Sequence, residues 1–161
     1  MTLVVSDASP LNYLVILESE CVLPILFGTI VVPTQVIEEL KRAKAPEPVR
    51  IWANEPPNWV LLREGDASRF PSLNYGEAAA MSLALDSNSR LLVDEIDART
   101  VATSLGIPVI GTVGILAEAH LISLLDFDVK IVALLATNYR VHRNVIAAAR
   151  ERIVARQSGF K

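Results

Sequence analysis

Short apolar runs alternate along this chain with stretches of helical pattern, and this alternation restricts the possible folds more than any other feature. Four of the runs carry consecutive apolar, mostly branched residues, at Leu3-Val4-Val5, Ile30-Val31-Val32, Leu91-Leu92-Val93 and Pro108-Val109-Ile110. Such runs are typical of parallel strands buried on both faces. Residues 59–62 predict one further strand, which would suit a sheet edge. Strands that alternate with helices predict an α/β fold, with a mostly parallel sheet of four to five strands and helices on both faces.

The segments between the runs carry helix signals. Ser9-Pro10 combines a capping residue with a proline at the first helical position, which predicts a helix to about Glu18. The other helices are predicted at about 34–43, 46–54, 77–86, 97–105, 113–121, 128–136 and 144–156. Because no repeat or linker interrupts the pattern, we expect one domain over residues 1–161, with a core at about 3–125 and C-terminal helices at about 126–157.

Composition excludes several classes of protein. No apolar run reaches the roughly 18–20 residues that a membrane span needs, and the N-terminus lacks the basic region of a signal peptide. A single cysteine, Cys21, excludes an internal disulfide, and we expect it to be buried as a small apolar residue. These features indicate a cytoplasmic protein. A hydrophobic content of 52% indicates a large core and an apolar patch for a partner or a second copy.

The net charge of −3 means that nucleic acid can bind only through a local basic face or a bound cation. Five arginines lie in the last quarter of the chain, at positions 140, 143, 150, 152 and 156. They could follow a phosphate backbone or form ordinary solvated surface, and the second interpretation is favoured. No glycine-rich loop precedes a Lys-Ser or Lys-Thr pair, which argues against an NTPase.

Acidic residues recur where predicted strands end and helices begin. Asp7 comes soon after the first strand run and Asp94 directly after the third, so both are expected in the crevice at the carboxyl edge of the sheet. Glu39, Glu77 and Asp97 lie on the following helices and can join them. Carboxylates gathered without a cation repel one another, whereas Mg²⁺ and Mn²⁺ prefer hard oxygen ligands. The pattern therefore predicts a divalent-metal site, which can position water for attack on a phosphodiester.

Each acid also has an ordinary structural explanation. An aspartate after a strand often caps a helix, which applies above all to Asp97, whereas Ser9-Pro10 already supplies a cap beside Asp7. Glu39 stands next to another glutamate, as on any solvated helix face, and Glu77 in a first turn complements the helix dipole. The metal-site hypothesis therefore depends on the joint order and spacing of the acids.

Five segments resemble, in the same order, the motifs of PIN-domain proteins. They are Val5-Ser6-Asp7-Ala8-Ser9-Pro10-Leu11, Val31 to Leu40, Gly76 to Ala84, Leu91 to Arg99 and Ile110 to Leu116. In that family an aspartate ends the first strand, with Ser or Thr two residues later, and further acids stand before a leucine and at the start of a small-residue helix. The resemblance covers roughly residues 3–125 and implies a Rossmann-like PIN fold.

The resemblance also implies an activity, that of an endoribonuclease dependent on Mg²⁺ or Mn²⁺, as in VapC-type toxins of toxin–antitoxin pairs. The catalytic acids that it implies are Asp7, Glu39, Glu77, Asp94 and Asp97. The metal ligands among them are Asp7, Glu77, Asp94 and Asp97. Ser9 would support the site by hydrogen bonding, and Thr112 would approach it. The implied partners are an RNA substrate, a small antitoxin protein and a second copy of the chain, with no membrane.

Two other observations leave alternatives open. Arg99 could contact a phosphate or pair with Glu95, four residues earlier on the same helix. Glu77 stands where many PIN nucleases carry aspartate, and Asp94-Glu95-Ile96-Asp97 lacks the Asp-x-Asp-Phe ending common in toxins. These departures match a less characterised branch of PIN-like proteins. The alternative function is therefore a PIN-fold module without turnover, which acts by binding protein or RNA.

Overall fold

The strands are short and parallel in the computed structural model, which describes residues 3–159. They are β1 Val4–Ser6, β2 Ile30–Pro33, β3 Val60–Arg63, β4 Arg90–Leu92 and β5 Val109–Ile110. Within the described residues they form one sheet in the order β3-β2-β1-β4-β5, and every neighbouring pair is parallel. The predicted α/β, Rossmann-like fold is confirmed, and β3 is the predicted edge strand.

Helices fill the intervals between the strands and the C-terminal region. They are α1 Ala8–Ile16, α2 Val22–Phe27, α3 Thr34–Leu40, α4 Glu47–Asn54, α5 Tyr75–Ser87, α6 Ile96–Ser104, α7 Thr112–Leu121, α8 Phe127–Leu135 and α9 Arg143–Ser158. A short 3₁₀ turn, Ala67–Arg69, lies between β3 and α5. Over the range that the structure describes, every helix falls short of the length and apolar character that crossing a membrane requires.

Helix α2 was not predicted, and its apolar sequence contains a proline, Pro24. Pro24 is the third residue of the helix, where a backbone N–H has no acceptor within the helix, so the proline costs no helical hydrogen bond. Cys21 lies at the N-cap of this helix and is exposed. The expectation that Cys21 is buried is therefore wrong, because the residue lies in the turn between two helices rather than in the core.

The contacts within the chain define two compact units, Met1–Gly111 and Thr112–Lys161. The first contains the sheet and α1 to α6. Its core joins strand residues to small and apolar residues of α5, α6 and the loop after α6, namely Val5, Val31, Ala80, Met81, Ala84, Leu91, Val93, Ala98, Ala102 and Ile107. Alanines on α5 allow this helix to approach β1, β2 and β4 closely. The single domain expected from the sequence stays a prediction.

The second unit consists of α7, α8 and α9, with α7 packed against both of the other helices. Arg156 pairs with Glu118 at 3.1 Å and Arg150 with Asp128 at 2.6 Å. Two of the five late arginines are therefore already paired with carboxylates, which favours their interpretation as solvated surface.

The sheet order defines the edge at which a site can form. The chain runs outward from β1 through β2 to β3 and then restarts on the other side of β1 with β4 and β5. Ligands of open parallel sheets bind outside the carboxyl ends of the strands at such a reversal. The junctions at this point are Asp7 between β1 and α1, Pro33-Thr34 between β2 and α3, and residues 93–95 between β4 and α6.

Candidate metal centre

Asp7 occupies the centre of this edge. Its backbone N–H donates to the carbonyl of Leu92 at 2.9 Å, which extends the pairing of β1 with β4 by one residue. Asp7 stands at the N-cap of α1, yet its side chain makes no capping hydrogen bond, and the residue is only 3% exposed. Burying a charged carboxylate is costly unless a partner compensates the charge. Helix capping therefore does not explain Asp7.

Glu77 serves two purposes at the start of α5. Its Oε1 accepts a hydrogen bond from the N–H of Asn74 at 3.2 Å, and its own N–H donates to Asn74 Oδ1 at 2.9 Å, which completes a capping box. The residue is buried. A carboxylate has two oxygens, so the capping bond leaves one available for a cation.

Glu95 is the third carboxylate of the cluster. It lies at the N-cap of α6 in extended backbone, with φ −64° and ψ 134°. Its Oε1 accepts a hydrogen bond from Ser9 Oγ at 2.5 Å. Its Oε2 is buried and has no hydrogen-bond partner within residues 3–159. One carboxylate oxygen each from Asp7, Glu77 and Glu95 lie within 4.8 Å of one another, so three distant parts of the sequence converge.

Glu39 lies beside this cluster, on α3. The point that a Cβ would occupy on Gly76 is 2.9 Å from Glu39 Oε1 and 3.7 Å from Asp7 Oδ1. A side chain at position 76 would thus clash with the Glu39 carboxylate. The glycine at the start of α5 therefore leaves room for Glu39 to lie near Asp7.

Asp94 and Arg99 meet at Gly111, the residue after β5. A Cβ on Gly111 would lie 2.8 Å from Asp94 Oδ1 and 2.9 Å from Arg99 Nη1. The same guanidinium nitrogen donates to the carbonyl of Val93 at 3.1 Å. Arg99 is therefore directed toward the end of β4, next to the acidic junction.

The remaining predicted residues lie at the starts of two helices. Asp97 is exposed in the first turn of α6, and its charge contributes to the raised pKa of Glu77. Thr112 is buried as the first residue of α7, in the second unit. Their roles in a site stay predictions, as do those of the other acids and of Ser9.

The electrostatics of the cluster are unfavourable without a cation. Burial raises the pKa of Asp7 well above its usual range, and the charges of Glu95, Glu77 and Glu39 raise it further. Burial is also the main cause of the raised pKa values of Glu77 and Glu39, and Glu95 contributes to both. Hydrogen bonds from the backbone of Ala8 and Asn74 partly offset the shifts of Asp7 and Glu77. The charge of Glu95 thus contributes to the raised pKa of each of the other three carboxyl groups.

This donor set fits a hard divalent cation. Mg²⁺ and Mn²⁺ bind carboxylate oxygens and retain several waters. The unpartnered, buried Oε2 of Glu95 supplies an oxygen that the protein itself does not satisfy. A cation would also remove the repulsion that raises the carboxylate pKa values. Asp7, Glu77 and Glu95 are therefore the residues that can hold it.

Glu95 was not among the acids predicted for the site. The apolar run Leu91-Leu92-Val93 predicts Asp94 at the strand end and a helix from Asp97, and it does not show which of the adjacent acids Asp94 and Glu95 reaches the site. In the structure β4 ends at Leu92 and α6 begins at Ile96, and Glu95 rather than Asp94 joins Asp7 and Glu77. A second acid directly after Asp94, at a strand-to-helix junction, is the signal that could have identified it.

A family model connects this geometry with known proteins. The model of DUF3368, described as a PIN domain, matches residues 3–154. The chain belongs to this family of PIN domains. The resemblance carried by the five sequence segments is therefore confirmed, and PIN domains are generally metal-dependent nucleases. No curated protein matches the chain.

Proposed function

We propose that this PIN domain is an endoribonuclease that hydrolyses RNA phosphodiester bonds with the help of Mg²⁺ or Mn²⁺. The observation that carries the proposal is the convergence of Asp7, Glu77 and Glu95 within 4.8 Å, with Glu95 Oε2 buried and unpartnered in the described chain. When bound, such an ion supplies Lewis-acid activation of water and of the phosphoryl oxygen.

The side chains in and around the cluster have different proposed roles. Asp7 and Glu77 are buried and fixed, while Ser9 holds one oxygen of Glu95 and so orients the other. Glu39 is the proposed proton acceptor for the attacking water, because burial raises its pKa and makes its carboxylate more basic.

The residues at the β4 edge complete the proposed site. Asp94 and Asp97 add negative charge that helps to retain the cation and its water. Arg99 keeps guanidinium N–H groups beyond the one bonded to Val93, and we assign these to a phosphate oxygen of the substrate.

The biological role that we propose is the toxin of a toxin–antitoxin pair that acts in the cytoplasm. The likeness of the five segments to VapC-type toxins supports this role. A small antitoxin would then block the acidic crevice with a peptide. The exposed Val129, Val132 and Leu135 of α8 support a homodimer, since apolar side chains at a helix surface favour association. Growth arrest on expression, relieved by a short neighbouring reading frame, would test the toxin role.

The enzyme proposal is tested by cleavage of single-stranded RNA with and without Mn²⁺. Asp7→Asn and Glu95→Gln should each reduce the rate by at least roughly 100-fold, because removing even outer partners of metal ligands costs 10–100-fold. Asp86→Asn is the matched control, since Asp86 is an exposed acid paired with Arg69 at 2.8 Å on the surface of α5. It should cleave at the wild-type rate.

Two results would count against the proposal. Equal cleavage by wild type and Asp7→Asn would indicate a contaminating nuclease. A wild-type chain whose melting temperature rises with Mn²⁺ but which cuts no RNA would be a binding module without turnover.

A further inference from the structure

Four residues after α3, Lys41-Arg42-Ala43-Lys44, form what we call the basic turn. The N–H of Arg42 donates to the carbonyl of Glu39 at 3.2 Å, and the N–H of Ala45 donates to the carbonyl of Arg42 at 3.0 Å, which fixes the backbone. Arg42 and Lys44 are exposed. Lys41 lies 3.5 Å from Glu38, whereas neither Arg42 nor Lys44 forms an ion pair within the described residues.

The basic turn lies next to the acidic cluster. Arg42 follows Glu39 by three residues, and the hydrogen bond between their backbones keeps the two residues close. Burial raises the pKa of Glu39 and the positive charge of Arg42 opposes this rise, so Arg42 acts on an acid beside the cluster. Since α3 follows β2 and α6 follows β4, these two helices start on opposite sides of β1, the strand that Asp7 follows.

The charge of the first unit makes such cations necessary for a polyanionic substrate. Residues 1–111 contain 14 Asp or Glu and 8 Lys or Arg, a net charge of −6. An RNA strand that approaches the acidic cluster is repelled by this charge, and a divalent ion offsets only part of it. Three of the eight cations of this unit stand within the four residues of the basic turn.

We infer that the basic turn binds the phosphate backbone of the RNA substrate on one side of the bond to be cut. The strand then crosses the carboxyl edge of the sheet from Arg42 and Lys44, past Asp7, toward Arg99. Flexible, exposed cations of this kind hold a backbone without reading its sequence. The identity of the ligand as RNA rests on the proposed function, whereas the binding itself can be measured without cleavage.

The experiment measures binding of a fluorescent oligouridylate by anisotropy, in EDTA, at several salt concentrations. Arg42→Ala/Lys44→Ala should weaken binding several-fold. It should also reduce the slope of log K against log salt by about 1.4, because each phosphate contact to a single strand contributes about 0.7. Arg42→Lys/Lys44→Arg should retain the wild-type slope, because both charges remain.

Arg90→Gln is the control. Arg90 begins β4, at the end of the strand opposite to the acids, and its guanidinium lies 5.5 Å from the Phe27 ring. Removing this charge should leave both affinity and slope unchanged. Circular dichroism of each variant verifies folding, which the substitutions at the exposed Arg42 and Lys44 should preserve.

The outcomes separate this inference from the enzyme proposal. If Arg42→Ala/Lys44→Ala binds with wild-type affinity and slope, the inference is wrong even if the wild type cuts RNA. If the slope falls as expected but the wild type cuts nothing with Mn²⁺, the enzyme proposal fails and the basic turn still binds RNA. If an oligoglutamate peptide loses affinity for this variant and oligouridylate does not, the basic turn contacts protein and the inference is overturned.

Discussion

At the scale of single residues, the two oxygens of Glu95 have different surroundings. Oε1 is held by Ser9, and Oε2 is buried without a partner in the described chain. The same carboxylate raises the pKa of Asp7, Glu39 and Glu77. Its negative charge therefore repels the charged forms of these three carboxyl groups in the metal-free protein, whereas it attracts a bound cation.

Glu95→Gln should therefore have opposite effects in the two states. At neutral pH the metal-free variant should melt above the wild type, because one source of repulsion is gone. The rise in melting temperature on adding Mn²⁺ should be largely lost; for a ligand at 100 times its Kd, that rise corresponds to about 2.7 kcal/mol. Differential scanning fluorimetry with a Mn²⁺ titration measures both. A wild-type response to Mn²⁺ would remove Glu95 from the ligand set.

At the scale of elements, the first turn of α5 links helix stability to the site. Asn74 caps the helix, and its backbone N–H holds Glu77 Oε1. The Asn74 side chain accepts from the backbone N–H of Glu77, so it is predicted to stabilise the helix and to fix the backbone that carries a metal ligand. On α8, the side chain of Asp126 caps in the same way, accepting from the N–H of Val129 at 3.0 Å, without a site acid as its partner.

This pair of caps gives a matched prediction. Asn74→Ala and Asp126→Ala should each lower the free energy of unfolding by about 1 kcal/mol, the usual value of an N-cap. Only Asn74→Ala should also weaken Mn²⁺ binding, because the backbone N–H of Glu77 loses its side-chain acceptor and the start of α5 is held less firmly. Urea denaturation and isothermal titration of Mn²⁺ provide the two measurements. Equal Mn²⁺ affinities in the two variants would show that the capping box does not position Glu77 for the metal.

At the scale of the whole molecule, periodicity and resemblance were enough for the fold. Consecutive apolar residues in β1, β2 and β4 indicated buried parallel strands, and the motif order indicated a Rossmann-like PIN fold. The prediction was weaker for short elements and for neighbouring residues of the same type. Helix α2 has only six residues and contains Pro24, and the sequence does not show which of the adjacent acids Asp94 and Glu95 joins Asp7 and Glu77. Convergence within 4.8 Å is a property of the folded chain, and no spacing in the sequence encodes it.

The pH dependence of the whole molecule follows from the shared charge of the cluster. Raised pKa values mean that the folded chain binds protons on Asp7, Glu39 and Glu77 more tightly than the unfolded chain. This contribution to stability is complete when the pH is below the usual pKa values of 3.8 for aspartate and 4.5 for glutamate. It is lost as the pH rises through the higher pKa values of the folded chain. Asp66 acts in the opposite sense, because hydrogen bonds from Ser68 lower its pKa, so its contribution is lost only as pH falls below 3.8.

Thermal melts in EDTA should therefore show wild-type stability falling from mildly acidic to neutral pH. Asp7→Asn should flatten this decline, because Asp7, whose pKa is raised well above its usual value, no longer titrates. Mn²⁺ competes with protons for the same oxygens, so the metal-induced rise in melting temperature should grow with pH. A Mn²⁺ effect independent of pH, or the same decline in Asp7→Asn as in the wild type, would mean that these carboxylates do not share one site. The repulsion that destabilises the metal-free chain is thus the property that makes it select a cation.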